Sequence, residues 1–172
     1  MRSTVWVGLL AVALAGIAAD ASGQSSKPPV RVWLGLGLAT AVVRNLDADA
    51  GGTVQVVVQR GAHHAAFRSL SMGDFSSVPD GSDDGVREVG LIYGRAAATS
   101  FGYVAAGAGV ALVTANGLHQ AGESRRTAGL PIVVEAGLRT RVVGLSIQGF
   151  GNLNSLSKFA GVAVYLNLGW MP

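Results

Sequence analysis

Three histidines are the residues of this sequence that could most readily bind a metal ion or transfer a proton: His63, His64 and His119. His63 and His64 are adjacent, and neighbouring side chains of an extended strand point to opposite faces. A metal site needs several donors that converge on one point, so we interpret this pair as part of a solvated turn. His119 would need a serine and a carboxylate, Glu123 or Glu135, to form a hydrolase triad, and no motif joins them.

Four aspartates form the second chemical candidate: Asp74, Asp80, Asp83 and Asp84. Clustered carboxylates in a glycine-containing segment can hold calcium. The EF-hand spacing fails, however, because the twelfth position counted from Asp80 is Leu91 and not a glutamate. We therefore interpret the segment as a solvated acidic loop.

Other cofactor chemistry has little support in the sequence. Gly35 and Gly37 form a Gly-x-Gly pair that opens no helix, which argues against nucleotide binding. There is no cysteine, so disulfides, thiolate catalysis, cysteine-bound zinc and a cysteine lipid anchor are excluded. The net charge of +3 comes from scattered basic residues, which disfavours nucleic acid as a partner. We predict no catalytic, cofactor-binding or metal-binding residue, and no enzymatic activity.

The overall composition limits the fold classes that could position any of these residues. Of the 172 residues, 49% are hydrophobic and only 13% are charged, whereas about 25% charged residues are typical of soluble domains. Beyond the N-terminus, no apolar run reaches the roughly 20 residues that a transmembrane helix needs. Such a chain is either all core or a barrel that exposes apolar side chains to lipid.

The N-terminus has the three-part layout of a secretory signal peptide. Arg2 is followed by the apolar stretch 5–19 and by Ala19-Asp20-Ala21, a small-x-small cleavage signal. We predict a signal peptide over 1–23, a flexible linker over 24–29 and a single β-domain over 30–172. An uncleaved N-terminal anchor is the alternative.

The domain itself shows alternation with a period of two, which predicts β-strands. The eighth segment is the clearest, because Val162, Val164, Leu166 and Leu168 share one face. Segments of about ten residues match a tilted strand that crosses a bilayer. The eight predicted strands are 31–40, 53–60, 64–72, 86–95, 99–114, 130–139, 141–150 and 158–170.

The predicted connections alternate in length. The long, polar ones are 41–52, 73–85, 115–129 and 151–157. The tight ones are 61–63, 96–98 and residue 140. Long loops on one rim and short turns on the other are typical of bacterial outer-membrane barrels, in which the short turns face the periplasm.

The two faces of the predicted strands indicate which side meets lipid. A soluble barrel would bury its apolar face and expose a charged one, and the polar face here carries too little charge for that role. We therefore expect the Val, Leu and Ile face to meet lipid and the small face to fill the lumen. The polar residues expected to point inward are Gln55, Gln59, Glu88, Glu135 and Gln148. They could be satisfied by one another, by trapped water, or by Arg31, Arg68 or Arg139.

Two segments carry a family resemblance: VWLGLGLAT in the first strand and GFGNLNSLSKFAGVAVYLNLGW at the end. They resemble the small eight-stranded outer-membrane β-barrel proteins of Gram-negative bacteria. The resemblance implies an up-and-down transmembrane barrel whose last strand, ending in Trp170, is recognised by the barrel-assembly machinery. Some of these barrels deacylate lipid A through a His-x-Ser motif, which this sequence lacks.

Two features depart from that pattern. The chain ends in Met171-Pro172 without a terminal Phe, and the aromatic residues that form interfacial girdles are sparse. The aromatics expected at strand ends or interfacial depths are Trp33, Tyr93, Phe101, Tyr103, Phe150, Phe159 and Trp170.

The sequence favours a monomeric barrel in the outer membrane with a structural or surface-interaction role for its four long loops. Arg44, Arg125, Arg126 and Lys158 could meet the phosphates of outer-membrane lipid or lipopolysaccharide. Two alternatives remain open. The lumen could be a narrow conduit for small apolar molecules, or the chain could be a soluble periplasmic ligand-binding barrel.

Overall fold

The computed structural model describes residues 28–43, 48–73, 85–116 and 124–170, which form one closed antiparallel barrel. Every strand pairs with its neighbours in sequence, and the last strand returns to pair with the first. Closure satisfies the backbone hydrogen-bonding groups of all strands without leaving an edge. The strands are β1 Val30–Val43, β2 Ala48–Arg60, β3 His63–Gly73, β4 Gly85–Ala98, β5 Gly102–Asn116, β6 Ser124–Arg139, β7 Val143–Asn154 and β8 Phe159–Gly169.

The sidedness of the strands is the one predicted. On β8, Val162, Val164, Leu166 and Leu168 point outward, with exposed fractions between 42% and 55%. The intervening side chains Tyr165 and Asn167 are fully buried in the lumen. A water-soluble barrel would have the reverse arrangement, so this exterior is suited to a hydrocarbon solvent.

The strands run further toward the long connections than predicted. The pairing of β1 with β2 continues to Val42 and Ala48, so the predicted loop 41–52 is wrong, and only 44–47 separate the two strands. Likewise β6 begins at Ser124 and β7 extends to Asn154, inside the segments predicted as loops. The apolar alternation stops where the lipid-facing part of the barrel stops. Backbone hydrogen bonding between strands does not require apolar side chains, so the strands continue past that point.

Side-chain hydroxyls stabilise two of the short turns in the same way. Thr99 Oγ1 accepts a hydrogen bond from Gly102 N at 3.2 Å, and Thr140 Oγ1 accepts one from Val143 N at 3.2 Å. The third turn contains Gly61 with a φ of 58°, a left-handed conformation that favours glycine. The turns therefore lie at 61–62, 99–101 and 140–142, slightly displaced from the predicted 61–63, 96–98 and residue 140.

The barrel has two unlike rims. We call the end with the connections 44–47, 74–84, 117–123 and 155–158 the long-loop rim, and the end with the three short turns the short-turn rim. Residue 170 lies at the short-turn rim, where Trp170 N donates to Val32 O at 2.8 Å. The predicted signal peptide over 1–23 and most of the predicted linker lie outside the described residues. No helix in the described ranges is long and apolar enough to cross a membrane.

Candidate functional site

The centre of the lumen contains a buried ion pair between Arg68 on β3 and Glu88 on β4. Arg68 donates to Glu88 Oε1 from Nη2 at 2.5 Å and from Nε at 3.1 Å, and both side chains are fully buried. The second carboxylate oxygen of Glu88 accepts from Asn152 Nδ2 at 2.7 Å. The guanidinium also lies 5.2 Å from the centre of the Phe150 ring. The charge of each partner is thus neutralised by the other, as a buried ion pair requires.

Glu135 is a second buried carboxylate, and neutral donors satisfy it. Its Oε2 accepts from Gln148 Nε2 at 2.8 Å and from Gln55 Nε2 at 3.3 Å. Its Oε1 accepts from the Tyr103 hydroxyl. Three donors of this kind can stabilise a carboxylate away from water.

Several of these hydrogen bonds cross the lumen. Arg68 Nη1 on β3 donates to Gln148 Oε1 on β7 at 2.8 Å, and these strands are opposite each other in the eight-stranded ring. Gln55 on β2 reaches Glu135 on β6 in the same way. The hydroxyl of Tyr165 on β8 also lies 3.0 Å from Thr53 Oγ1 on β2. Because side chains from opposite walls meet, the lumen is filled at this level. We call this set of side chains the lumen network. Its members are Thr53, Gln55, Arg68, Glu88, Tyr103, Glu135, Gln148, Asn152 and Tyr165.

Glycines on β1 make room for the lumen network. A Cβ at Gly35 would lie 2.8 Å from Asn167 Oδ1 and 2.8 Å from Gln55 Cγ. One at Gly37 would lie 2.7 Å from the backbone oxygen of Val164 and 2.8 Å from a ring carbon of Tyr165. Gly35 and Gly37 therefore keep the lumen face of β1 small enough for these side chains.

Comparison with solved structures identifies the fold. Neisserial surface protein A (NspA) superposes with a TM-score of 0.54 and 12% identity over 82% of this chain and 97% of NspA. Ail, the attachment invasion locus protein of Yersinia pestis, gives a TM-score of 0.51 and 13% identity over 84% of this chain and 99% of Ail. Both are small eight-stranded outer-membrane barrels. This chain has the fold of an outer-membrane β-barrel. No protein-family model and no curated protein matches the sequence.

The aromatic residues of this outer-membrane barrel form two groups, one exposed and one buried. Tyr93, Phe101 and Trp170 are exposed on the exterior near the short-turn rim, as expected of an interfacial girdle. The other four are buried in the lumen and belong to no exterior girdle, although Tyr103 and Phe159 do lie at strand ends as expected. The four are Trp33, Tyr103, Phe150 and Phe159. The lumen of this barrel needs large side chains opposite its many glycines and alanines, and these rings supply the volume.

The two adjacent histidines point to opposite faces, as predicted, but their interpretation as part of a solvated turn is wrong, because both belong to β3 and one of them faces inward. His63 is exposed, and its Nδ1 lies 2.5 Å from the Tyr93 hydroxyl. His64 is buried in the lumen, with its ring centre 5.8 Å from that of Trp33. No group of three His, Asp or Glu side chains within the described ranges could hold a metal ion.

Several candidate residues lie outside the part of the chain that the structure describes: Arg44, Asp74, Asp80, Asp83, Asp84, His119 and Glu123. Arg125 and Arg126 lie at the start of β6, and Lys158 immediately precedes β8. All three are exposed at the long-loop rim, apart from the lumen network.

The predicted inward residues are all buried in the lumen, and one arginine partner is now identified. Arg68 pairs with Glu88, whereas Arg31 and Arg139 lie at the short-turn rim and are partly exposed. Gln59 stays outside the lumen network and donates to Gly61 O at 3.0 Å. Asn152 was missed because its segment was predicted as a loop. Its inward position follows only once β7 is known to continue to Asn154.

Proposed function

We infer that this protein resides in the outer membrane and acts through the connections of its long-loop rim rather than through its lumen. The observation that carries this inference is the lumen network, whose hydrogen bonds cross the barrel from opposite walls. An eight-stranded barrel has little interior volume beyond its own side chains. A function that needs a ligand to pass through or bind inside the lumen would require these contacts to break.

The long-loop rim has the longer connections that such a function needs. Its connections are longer than the short turns, with eleven residues at 74–84 against two at 61–62. Binding residues are common on loops held by a rigid scaffold. The names of the two similar structures, a surface protein and an attachment invasion locus protein, agree with a role outside the cell.

Export and assembly follow from the same proposal. Residues 1–23 would direct secretion and be removed, and 24–29 would link the cleavage site to the barrel. The exposed aromatic Trp170 at the end of β8 would be read by the barrel-assembly machinery. Arg125, Arg126 and Lys158 would contact lipopolysaccharide phosphates, and the barrel would act as a monomer.

The orientation can be tested with a matched pair of protease sites. One variant carries a short protease-recognition sequence inserted after Asp83, and its control carries the same insertion after Ser100 in a short turn. In intact cells, external protease should cut the first variant and leave the second uncut until the outer membrane is permeabilised. Cleavage of the second variant alone would place the short turns outside and contradict the proposed function.

The closed lumen can be tested separately by liposome swelling. Vesicles that contain the full chain should swell in small sugars no faster than protein-free vesicles. Swelling above that background would favour the alternative, a narrow conduit. Release of the protein by osmotic shock, with none in the membrane fraction, would favour a soluble periplasmic ligand-binding barrel.

A further inference from the structure

Within the described ranges, the charged side chains of the short-turn rim are basic. Five arginines lie in its turns or in the strand ends that border it: Arg31, Arg60, Arg95, Arg139 and Arg141. No Asp or Glu occurs in the segments that build this rim, which are 28–33, 58–65, 93–104, 137–145 and 167–170. The carboxylates Glu88 and Glu135 belong to the lumen network. In sequence, the remaining acidic residues of 28–172 fall in the connections 44–47, 74–84 and 117–123 and at the start of β2.

Two of these arginines flank a histidine on the exterior. In the strand register Arg60 is opposite His63, and His63 is opposite Arg95, so the three form a row across β2, β3 and β4. All three side chains are exposed. Since neighbouring strands are about 4.8 Å apart, the backbones of the two arginines are separated by about 10 Å.

The exposed aromatics show at which depth this row lies. Tyr93, whose hydroxyl contacts His63 Nδ1, lies on the same face of β4 as Arg95 and is two residues nearer the membrane centre. Phe101 and Trp170 are exposed at the same rim. Tyr and Trp concentrate where the hydrocarbon ends and the headgroups begin. The guanidinium groups of Arg60 and Arg95 therefore reach the level of the lipid phosphates.

A second pair of arginines lies at the mouth of the lumen. Arg31 at the start of β1 and Arg139 at the end of β6 are both half-buried there. Arg139 Nη2 donates to Thr99 O at 2.9 Å, which holds its guanidinium group beside the neighbouring turn. Arg141 is exposed in the adjoining turn. An anion at this rim would lower the electrostatic energy of the group.

We propose that the short-turn rim is a binding surface for anionic phospholipid headgroups in the leaflet that faces the short turns. Guanidinium groups form paired, charge-assisted hydrogen bonds with phosphate, and the flanking aromatic rings fix the depth at which they do so. Each basic residue near an anionic lipid surface strengthens binding about fivefold. The proposal requires the membrane position of the barrel but is independent of what the long-loop rim binds.

The test compares charge reversal at the two ends of one strand face. Arg95 and Arg87 are both exposed on the outward face of β4, Arg95 at the short-turn rim and Arg87 at the long-loop rim. The full-length R95E and R87E variants therefore carry the same charge change on the same strand. Native mass spectrometry from micelles with equal amounts of phosphatidylglycerol and phosphatidylcholine would give the ratio of bound lipids. Heat-modifiability on gels would report folding, and co-sedimentation with vesicles would report membrane insertion.

The wild type should prefer phosphatidylglycerol, R95E should lower that preference at least about fivefold, and R87E should change it less than about twofold. The double variant R60E/R95E should lower it further. Equal losses in R95E and R87E would show that only net charge matters and would overturn the proposal. A different result would assign the rim to an acidic periplasmic protein instead. In that case R95E would keep the lipid preference of the wild type, whereas the wild type would bind soluble polyglutamate and R95E would not. If the wild-type protein failed to insert into vesicles, the proposed function would be contradicted, and the co-sedimentation assay would show this separately from lipid preference.

Discussion

The exterior and the lumen of this barrel are built from alternate residues of the same strands, yet their side chains depend on different kinds of contact. On β2, Val54 faces outward with no specific partner, while the next residue, Gln55, contacts Glu135 and Gln148 across the lumen. Lipid accommodates apolar side chains of any shape, so the exterior side chains need only be apolar. The lumen has no solvent to replace a lost partner, so its side chains must fit in charge, hydrogen bonding and volume at once.

This contrast predicts different sensitivities for the two faces. Substitution on the exterior should matter only when it introduces charge or a strong polar group. Substitution in the lumen should matter even when it is chemically modest. The measure of both is the free energy of unfolding in phospholipid vesicles, from urea titration followed by tryptophan fluorescence.

The largest effect is expected for Arg68→Ala. It would leave Glu88 buried with Asn152 as its remaining donor and no cation, at a cost of about 3–5 kcal/mol. The double variant Arg68→Met with Glu88→Gln removes both charges and should cost clearly less than Arg68→Ala alone. A loss below about 1 kcal/mol for Arg68→Ala would show that the ion pair is not a requirement of the lumen.

The exterior should respond to charge and to depth. Val164 lies near the middle of β8 and points to lipid, so Val164→Arg should cost about 2–4 kcal/mol. Val143, at the short-turn end of β7, serves as the depth control, and Val143→Arg should cost at most about 1 kcal/mol. Equal costs at the two positions would mean that the exterior does not follow a membrane profile.

Two glycines test volume alone, because adding a methyl group changes no charge. At Gly37 a Cβ would lie 2.7 Å from Val164 O and 2.9 Å from Thr53 Cγ2, so Gly37→Ala should cost about 1–3 kcal/mol. At Gly149, which is exposed, the nearest atom to a Cβ is Val134 O at 3.9 Å, and Gly149→Ala should leave stability nearly unchanged or slightly higher. A neutral result at Gly37 would indicate that the lumen is loosely packed, contrary to the comparison between the two faces.

The sequence predicted the fold better than it predicted the lumen network. Period-two alternation in segments such as 158–170 is local, so it identified the strands, their outward faces and the inward Glu88 and Glu135. The partner of Glu88 was left open among Arg31, Arg68 and Arg139. That choice depends on the relative height of strands, which the pairing register fixes and the alternation does not. For the same reason Asn152 was missed, since β7 continues past the last alternating apolar residue into a polar segment.

The smallest effect separates two tyrosine hydroxyls, one on each face. Tyr165→Phe removes from the lumen a hydroxyl that contacts Thr53 Oγ1 at 3.0 Å and Gln148 Oε1 at 3.3 Å, and it should cost about 0.5–1.5 kcal/mol. Tyr93→Phe also removes a hydrogen bond, to His63, but both of its partners are exposed and can bond to water or headgroups instead. Its cost should be below about 0.5 kcal/mol. If Tyr93→Phe lowered the free energy of unfolding more than Tyr165→Phe, the exposed Tyr93 hydroxyl would contribute more to stability than the buried one. The exterior would then depend on specific hydrogen bonds at the depth of the lipid phosphates, and the contrast between the two faces would not hold there.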